Sequence, residues 1–320
     1  MKILIADKFD QPGIKSLKEL GCEVVCDPAL GPETIPRAIS GVDILVVRST
    51  KVPAAAIKAG DSLKGIIRAG AGYDNIDLAA ATENGVMVVN CPEYGSDTVA
   101  DHAFALLMCL ARRLIAIDRA TRDAGWVWPA PEVCGVDLAG KTLGLVGLGR
   151  IGHAMARRAA GFGMRSIASD PHVAPGVAAE CGVELVALDA LVGCADFISI
   201  HCILTPETRG LIGEAELRAM KPTAYLVDVS RGAIIDEAAL ARALKEGWIA
   251  GAGMDVFAVE PLPADYPLFG LDNVILTSHL AWYTVEADAR LAAECMDRLG
   301  ELLAGKTPAN LINAEALGLA

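Results

Sequence analysis

Three glycines, an arginine, a glutamate and a histidine carry the chemistry this sequence could do. Gly147, Gly149 and Gly152 stand in the run Leu-Gly-Leu-Val-Gly-Leu-Gly-Arg-Ile-Gly, a G-x-G-x-x-G spacing. The apolar stretch before it reads as a strand and the stretch after it as a helix. In that setting the first glycine allows a tight turn, the second lets backbone approach a pyrophosphate, and the third lets helix and strand pack closely. The helix N-terminus then favours the phosphate charge. Asp170 ends the next apolar run, residues 166–169. A carboxylate there can accept hydrogen bonds from a ribose diol and would repel a 2′-phosphate, so NAD is expected rather than NADP.

Further along, Val229-Ser230-Arg231-Gly232 follows an apolar run at 224–228, Asp255 and Glu260 follow one at 252–256, and His279 follows one at 274–277. Open α/β sheets place ligands at the carboxyl ends of their strands. Three strands would therefore deliver Arg231, Glu260 and His279 to one sheet edge beside a nicotinamide. That set suits hydride transfer to a carbonyl: the arginine fork holds a carboxylate and polarises the oxo group, the histidine protonates the alkoxide, and the glutamate supports the imidazolium. Taken singly, each residue has an ordinary alternative: a structural histidine, a surface ion pair, a Glu-Pro turn. His201 ends a further strand near the fingerprint, where a cofactor contact is possible. Trp282 and Tyr283 are either core aromatics or a pocket wall.

These residues need a scaffold of alternating strands and helices. Residues 1–97 show short β-branched runs (3–6, 23–25, 42–47, 63–67, 86–90) separated by helical runs and glycines, which implies a parallel sheet with right-handed crossovers. No G-x-G-x-x-G occurs there. A helical stretch is expected from 98 to 113 and on towards 124, and helices at 236–246 (Asp236 as N-cap, Gly247 as stop) and 285–304. The expected organisation is two doubly wound α/β domains. A Rossmann-type NAD domain, 99–283, is inserted in a smaller flavodoxin-like substrate domain made of 1–98 and 284–320, with the default site in the cleft between them.

Composition narrows the class. Hydrophobic residues make up 53% of 320 positions and the net charge is −12, which argues against a nucleic-acid surface. No apolar helical run reaches membrane-spanning length, and the apolar start is too short for a signal peptide. The nine cysteines show no C-x-x-C pair and are read as reduced thiols in the cytoplasm, neither a disulfide framework nor a metal site.

Beyond single motifs, the chain resembles the D-isomer-specific 2-hydroxyacid dehydrogenase family along essentially its whole length. The matching pieces are Arg68-Ala-Gly-Ala-Gly-Tyr-Asp-Asn-Ile-Asp77, Val99-Ala-Asp-His-Ala-Phe-Ala-Leu106, the glycine fingerprint, Ser230-Arg231-Gly232, Ala252-Gly-Met-Asp-Val-Phe257 with Glu260-Pro261, and the His279 segment. The resemblance implies a D-2-hydroxy acid/2-oxo acid pair, Arg231–Glu260–His279 as catalytic set, and cofactor contacts from Arg150, Ile151, His201, Cys202, Val229, Ser230, Arg231, His279 and Asp255, the last near the nicotinamide carboxamide. It also implies substrate contacts from Arg68, Ala69 and Gly70, and a homodimer formed through the cofactor domain.

Trp282, three residues after His279, is similar to the C-terminal-binding-protein branch and would wall the substrate pocket. That branch includes NAD(H)-sensing corepressors with little turnover, which is the alternative function. Residues 46–50 and 68–70 resemble phosphoglycerate dehydrogenases equally well, though no appended regulatory domain is expected here. Formate or phosphite oxidation on the same scaffold fits less well, since neither substrate needs that pocket. Asp228 stands where the family often has Asn, Ser278 where it has Pro, and Cys202-Ile203 where a Pro-containing turn is frequent.

Overall fold

The computed structural model describes residues 1–8 and 11–319; residues 9, 10 and 320, which the expected domain ranges include, lie outside the described residues. The chain divides into two compact units, one of Met1–Gly95 with Thr284–Ala320 and one of Ser96–Tyr283.

The smaller unit is built on five parallel strands: β1 (Lys2–Ile5), β2 (Glu23–Cys26), β3 (Ile44–Val47), β4 (Gly65–Arg68) and β5 (Met87–Asn90), in the order β2-β1-β3-β4-β5. Its central strand Ile-Leu-Val-Val is buried along its whole length, as expected for a parallel strand covered on both faces. The Val285–Leu303 helix returns to this unit, its N-terminus capped by Thr284, whose Oγ1 accepts the Ala287 N–H at 3.1 Å. Leu302 lies over Gly65 of β4, where a Cβ would come within 3.0 Å of it. After the helix, Ile312 and Asn313 occupy the open edge of β5. Ile312 N–H donates to Val88 O at 2.8 Å, and Asn313 Oδ1 accepts Val88 N–H at 3.0 Å, which leaves less of that edge available for pairing.

The larger unit carries seven parallel strands: β6 (Thr142–Val146), β7 (Arg165–Ser169), β8 (Val183–Leu185), β9 (Phe197–Ile200), β10 (Tyr225–Asp228), β11 (Gly251–Met254) and β12 (Val274–Leu276). Their order is β12-β11-β10-β9-β6-β7-β8, so the winding reverses between β6 and β9. Alternation along β6 sends Leu143 and Leu145 to one core and Val146 to the other, one on each face of the sheet.

Two local expectations change. The helical stretch expected to run from 98 through 113 towards 124 is two helices, Ser96–Ala111 and Leu114–Ala124, separated by Arg113 in a left-handed conformation (φ 51). The first helix buries nine of its residues and the second none, so the chain turns where Arg112-Arg113 interrupts the apolar face. Strand β8 is not evident from the sequence because it spans three residues, of which Val183 alone is buried. Among the described residues no helix is long and apolar enough to cross a membrane.

Candidate active site

The glycine turn sits at the winding reversal, where β6 and β9 diverge. Gly147 has φ +93, and a Cβ there would lie 2.6 Å from Cys202 N and 2.9 Å from the His201 carbonyl carbon. The turn after β6 is thus pressed against the segment leaving β9, and only glycine fits. A Cβ on Gly152 would meet Gly147 O at 2.5 Å, which closes the first helical turn onto the loop. Gly149 differs: nothing lies within 4 Å of its Cβ direction, although it is the N-cap of the Arg150–Gly161 helix and makes no side-chain cap. The bare backbone and the uncapped N–H groups at Arg150 and Ile151 leave a cradle fitted to a pyrophosphate. Asp170 closes the turn from β7, its Oδ2 accepting Leu148 N–H at 2.8 Å and its Oδ1 accepting His172 N–H at 2.9 Å.

His201 brings two buried ring nitrogens to this place, and neither has a hydrogen-bond partner. Burial pushes its pKa down to about 3, so it is a neutral imidazole. A group with both a donor and an acceptor unsatisfied beside an open-fronted glycine turn is what a polar cofactor edge would complete. Next to it, burial and the nearby Asp228 carboxyl push the Cys202 thiol up to about 12, so it stays protonated.

Arg231, Glu260 and His279 converge at the ends of β10, β11 and β12. His279 Nδ1 lies 2.8 Å from Glu260 Oε2, and Glu260 Oε1 accepts Phe257 N–H at 2.9 Å, so the carboxylate is aimed by its own loop. Burial opposes the charge on Glu260, but the His279 hydrogen bond and charge outweigh it, with Arg231 adding to them, and its pKa lies below the usual value. With Nδ1 engaged, His279 keeps Nε2 for a substrate. Arg231 is brought beside this pair by Gly232: a Cβ there would stand 2.1 Å from the Phe257 carbonyl carbon, so the 230–232 segment lies flat on the 257–258 backbone. Arg231 Nη1 also donates to Ser230 O at 2.7 Å.

Asp255 and Asp228 act as buried supports of the site. The fully buried Asp255 accepts from Thr277 Oγ1 (2.5 Å), Leu280 N–H (2.9 Å) and Ala281 N–H (2.9 Å). Its main-chain carbonyl takes the His279 N–H at 2.7 Å. These bonds hold His279 in a left-handed conformation (φ 56) that is uncommon outside glycine. Sequence reasoning gives His102 no catalytic role, yet its Nε2 lies 3.0 Å from Thr277 Oγ1. Because that hydroxyl's own proton goes to Asp255, His102 must be the donor. The available signal is helical spacing, since His102 lies three residues after buried Val99 and four before buried Leu106. Asp228 Oδ1 accepts both Ser230 N–H (2.8 Å) and Ser230 Oγ–H (2.6 Å), while its buried Oδ2 has no partner. Burial pushes Asp228 up to about 7. In its protonated form it presents one donor and one acceptor, the pattern of the Asn that often stands there.

The remaining candidates have other surroundings. Val229 is buried, and Trp282 is partly buried against the core of the larger unit, with its ring 5.0 Å from that of Tyr283. In the smaller unit, Arg68 ends β4 with its guanidinium folded over Gly70 (φ +144), where a Cβ would lie 1.5 Å from Nη1. Ala69 between them is buried, its N–H donating to Val47 O at 2.7 Å. Among the described residues, no group of three or more His, Cys, Asp or Glu could hold a metal ion.

Residues 104–281 match the model of the D-isomer specific 2-hydroxyacid dehydrogenase, NAD binding domain. The chain is 44% identical over 288 residues to a glyoxylate reductase of Korarchaeum cryptofilum, covering 89% of this chain and 87% of that one. It is 42% identical over 316 residues to a D-3-phosphoglycerate dehydrogenase of Mycobacterium leprae, covering 98% of this chain and 59% of that longer protein. A crystal structure of D-lactate dehydrogenase from Aquifex aeolicus, complexed with NAD and lactic acid, superposes with a TM-score of 0.89 at 26% identity, covering 98% of this chain and 99% of that one. The two sequence relatives support the phosphoglycerate dehydrogenase side of the two resemblances left open by the sequence. The chain therefore belongs to the D-isomer specific 2-hydroxyacid dehydrogenase family and is an oxidoreductase of 2-hydroxy and 2-oxo acids that uses a nicotinamide cofactor.

Proposed function

We propose that the protein interconverts a D-2-hydroxy acid and its 2-oxo acid with NAD, using His279 as the acid–base group. The observation that carries this assignment is the 2.8 Å His279–Glu260 pair with Arg231 laid beside it. With its pyrophosphate held by the Gly149 cradle, a bound cofactor would supply or accept the hydride at a nicotinamide beside His279. Arg231 holds the substrate carboxylate and draws electron density from the oxo oxygen. His279 Nε2 gives the proton to that oxygen in reduction and takes it back in oxidation, while Glu260 stabilises the imidazolium. Asp255 offers a remaining lone pair to the nicotinamide amide. Arg68, Ala69 and Gly70 are assigned to the substrate carboxylate, and Trp282 to the wall around its side chain.

The test is loss of NADH absorbance with glyoxylate, hydroxypyruvate, pyruvate, phenylpyruvate, a methylthio-bearing oxo acid and phosphohydroxypyruvate, with NADPH run in parallel. Fast oxidation by one member is expected. Tight NADH binding without turnover of any of them would replace the enzyme reading by one of cofactor sensing. Asp170→Asn removes the charge and keeps one oxygen, enough to accept one of the Leu148 and His172 N–H groups. It should raise kcat/KM with NADPH on the order of tenfold; an unchanged cofactor ratio would mean that the charge does not discriminate.

The proposed assembly is a homodimer formed through the cofactor unit. Supporting it, Trp126 (66% exposed) and Trp128 (76% exposed) meet edge to face at 6.0 Å, and Leu114 and Ile115 of the same unit are exposed as well. Large apolar side chains left in water mark an association surface. Light scattering should give a dimer for the wild type and a monomer for the Trp126→Asp, Trp128→Asp double variant; a monomeric wild type would refute the assembly. A cytoplasmic location is proposed from the nine free cysteines.

A further inference from the structure

Two cysteines of the smaller unit stand apart from the other seven, which are exposed or half-buried. Cys91 directly follows β5 and Cys295 lies within the Val285–Leu303 helix; both are fully buried and their Sγ atoms are 3.5 Å apart. None of the proposed catalytic steps uses them. Their surroundings connect them to the segment assigned to the substrate. Cys91 N–H donates to Gly70 O at 3.0 Å, and the preceding Asn90 Nδ2 donates to Ala71 O at 2.6 Å. On the helix side, Glu294 next to Cys295 accepts Tyr94 N–H at 3.2 Å. Residues 90–94 are thereby fastened to the 68–71 segment on one side and to the helix on the other. Arg68 is close enough for its charge to act on the Cys295 thiol, although the Cys91 hydrogen bond and burial hold that thiol well above its ordinary pKa.

We propose that Cys91 and Cys295 form a redox-sensitive dithiol, closed to a disulfide by hydrogen peroxide, and that closure weakens 2-oxo acid binding by displacing the Arg68-Ala69-Gly70 segment. The second half of the proposal rests on the substrate assignment made above. One thiol gives up its proton and its sulfur attacks a peroxide oxygen, forming a sulfenic acid and releasing water. The other sulfur then displaces the hydroxyl, which leaves as a second water, so two thiols and one peroxide yield one disulfide and two waters. Cys295 reacts second, and its proton leaves with the displaced hydroxyl as the S–S bond forms between sulfurs that already stand 3.5 Å apart. A disulfide needs a sulfur separation of about 2.05 Å. Closing the 3.5 Å gap draws the end of β5 and the helix together, and the Cys91–Gly70 hydrogen bond carries that pull to the 68–70 backbone.

The experiment treats the full-length enzyme with hydrogen peroxide, blocks remaining thiols by alkylation, and maps peptides without reduction. A Cys91–Cys295 cross-linked peptide is expected, lost on treatment with dithiothreitol. The KM for the 2-oxo acid should rise about tenfold with kcat within about twofold. Dithiothreitol should restore it, and Cys295→Ala and Cys91→Ala should hold KM constant through the same treatment. If both residues are recovered as alkylated thiols under peroxide that oxidises exposed Cys134 and Cys181, the dithiol is refuted. If the cross-link forms and KM does not move, the coupling to the substrate segment is refuted. The cross-link is read by mass and not by turnover, so a failure of the proposed activity would leave that reading separate.

Discussion

Replacing His279 by Asn should lower kcat for the 2-oxo acid by about 10²- to 10⁴-fold, the range for loss of a positioned general acid. The NADH dissociation constant, read by fluorescence titration, should change little. Asn is the appropriate replacement because residue 279 has φ 56, a conformation that Asn tolerates better than most residues. The surrounding bonds survive the change: Asp255 O takes the main-chain N–H of residue 279, and the Asp255 carboxylate takes those of Leu280 and Ala281. A fall in turnover would therefore report the missing proton donor rather than a collapsed turn, and an unchanged melting temperature would check this. Glu260→Gln should cost less, about 10- to 10²-fold, because an amide can still orient the ring through Nδ1 but cannot stabilise an imidazolium. Near-normal turnover of the His279 variant would remove the acid–base assignment. A greater loss in the Glu260 variant than in the His279 variant would reverse the two roles.

Whether a residue's task is legible in the sequence depends on whether that task is local. The fingerprint is legible because Gly152 meets Gly147 O within the same turn, a constraint visible as spacing. Arg231, Glu260 and His279 are legible as types at the ends of apolar runs, and the strand order β12-β11-β10-β9 explains why those ends are neighbours. Their aim is not legible. Gly232 looks like a companion of the arginine, yet its reason is the Phe257 backbone, a contact between two strands' loops. Resemblance assigns Asp255 to the cofactor, and its carboxylate also accepts from Thr277, Leu280 and Ala281. Nothing in the sequence near 255 signals that the carboxylate sets the backbone at 279. Asp228 stands out in the sequence as a departure from Asn, but its consequence depends on burial, which pushes it to about 7 and makes it an amide-like group when protonated. The break at Arg113 is only partly legible: Arg112-Arg113 shows as an interruption of the apolar face, but the left-handed turn there and the exposure of the helix that follows do not.

Arg231→Ala should lower kcat/KM for the 2-oxo acid by about 10³-fold, equivalent to about 4 kcal/mol of transition-state binding. The expectation rests on how tightly the side chain's base is held. Ser230 is tied to Asp228 Oδ1 through both its N–H and its hydroxyl, and Gly232 lies against the Phe257 backbone. The guanidinium therefore projects from a clamped segment, and little of its binding is lost to ordering. Arg231→Lys separates charge from shape. It keeps the positive charge beside Glu260 but loses the planar fork that can hold a carboxylate and touch the oxo oxygen together. The lysine variant should recover about tenfold over alanine and remain about 10²-fold below wild type. NADH affinity should stay unchanged in both. Full recovery by lysine would show that Arg231 supplies charge alone, and the second contact, to the oxo oxygen, would then have to come from another group. A loss confined to KM would point the same way on kinetic grounds, because a residue that polarises the reacting carbonyl must lower kcat as well.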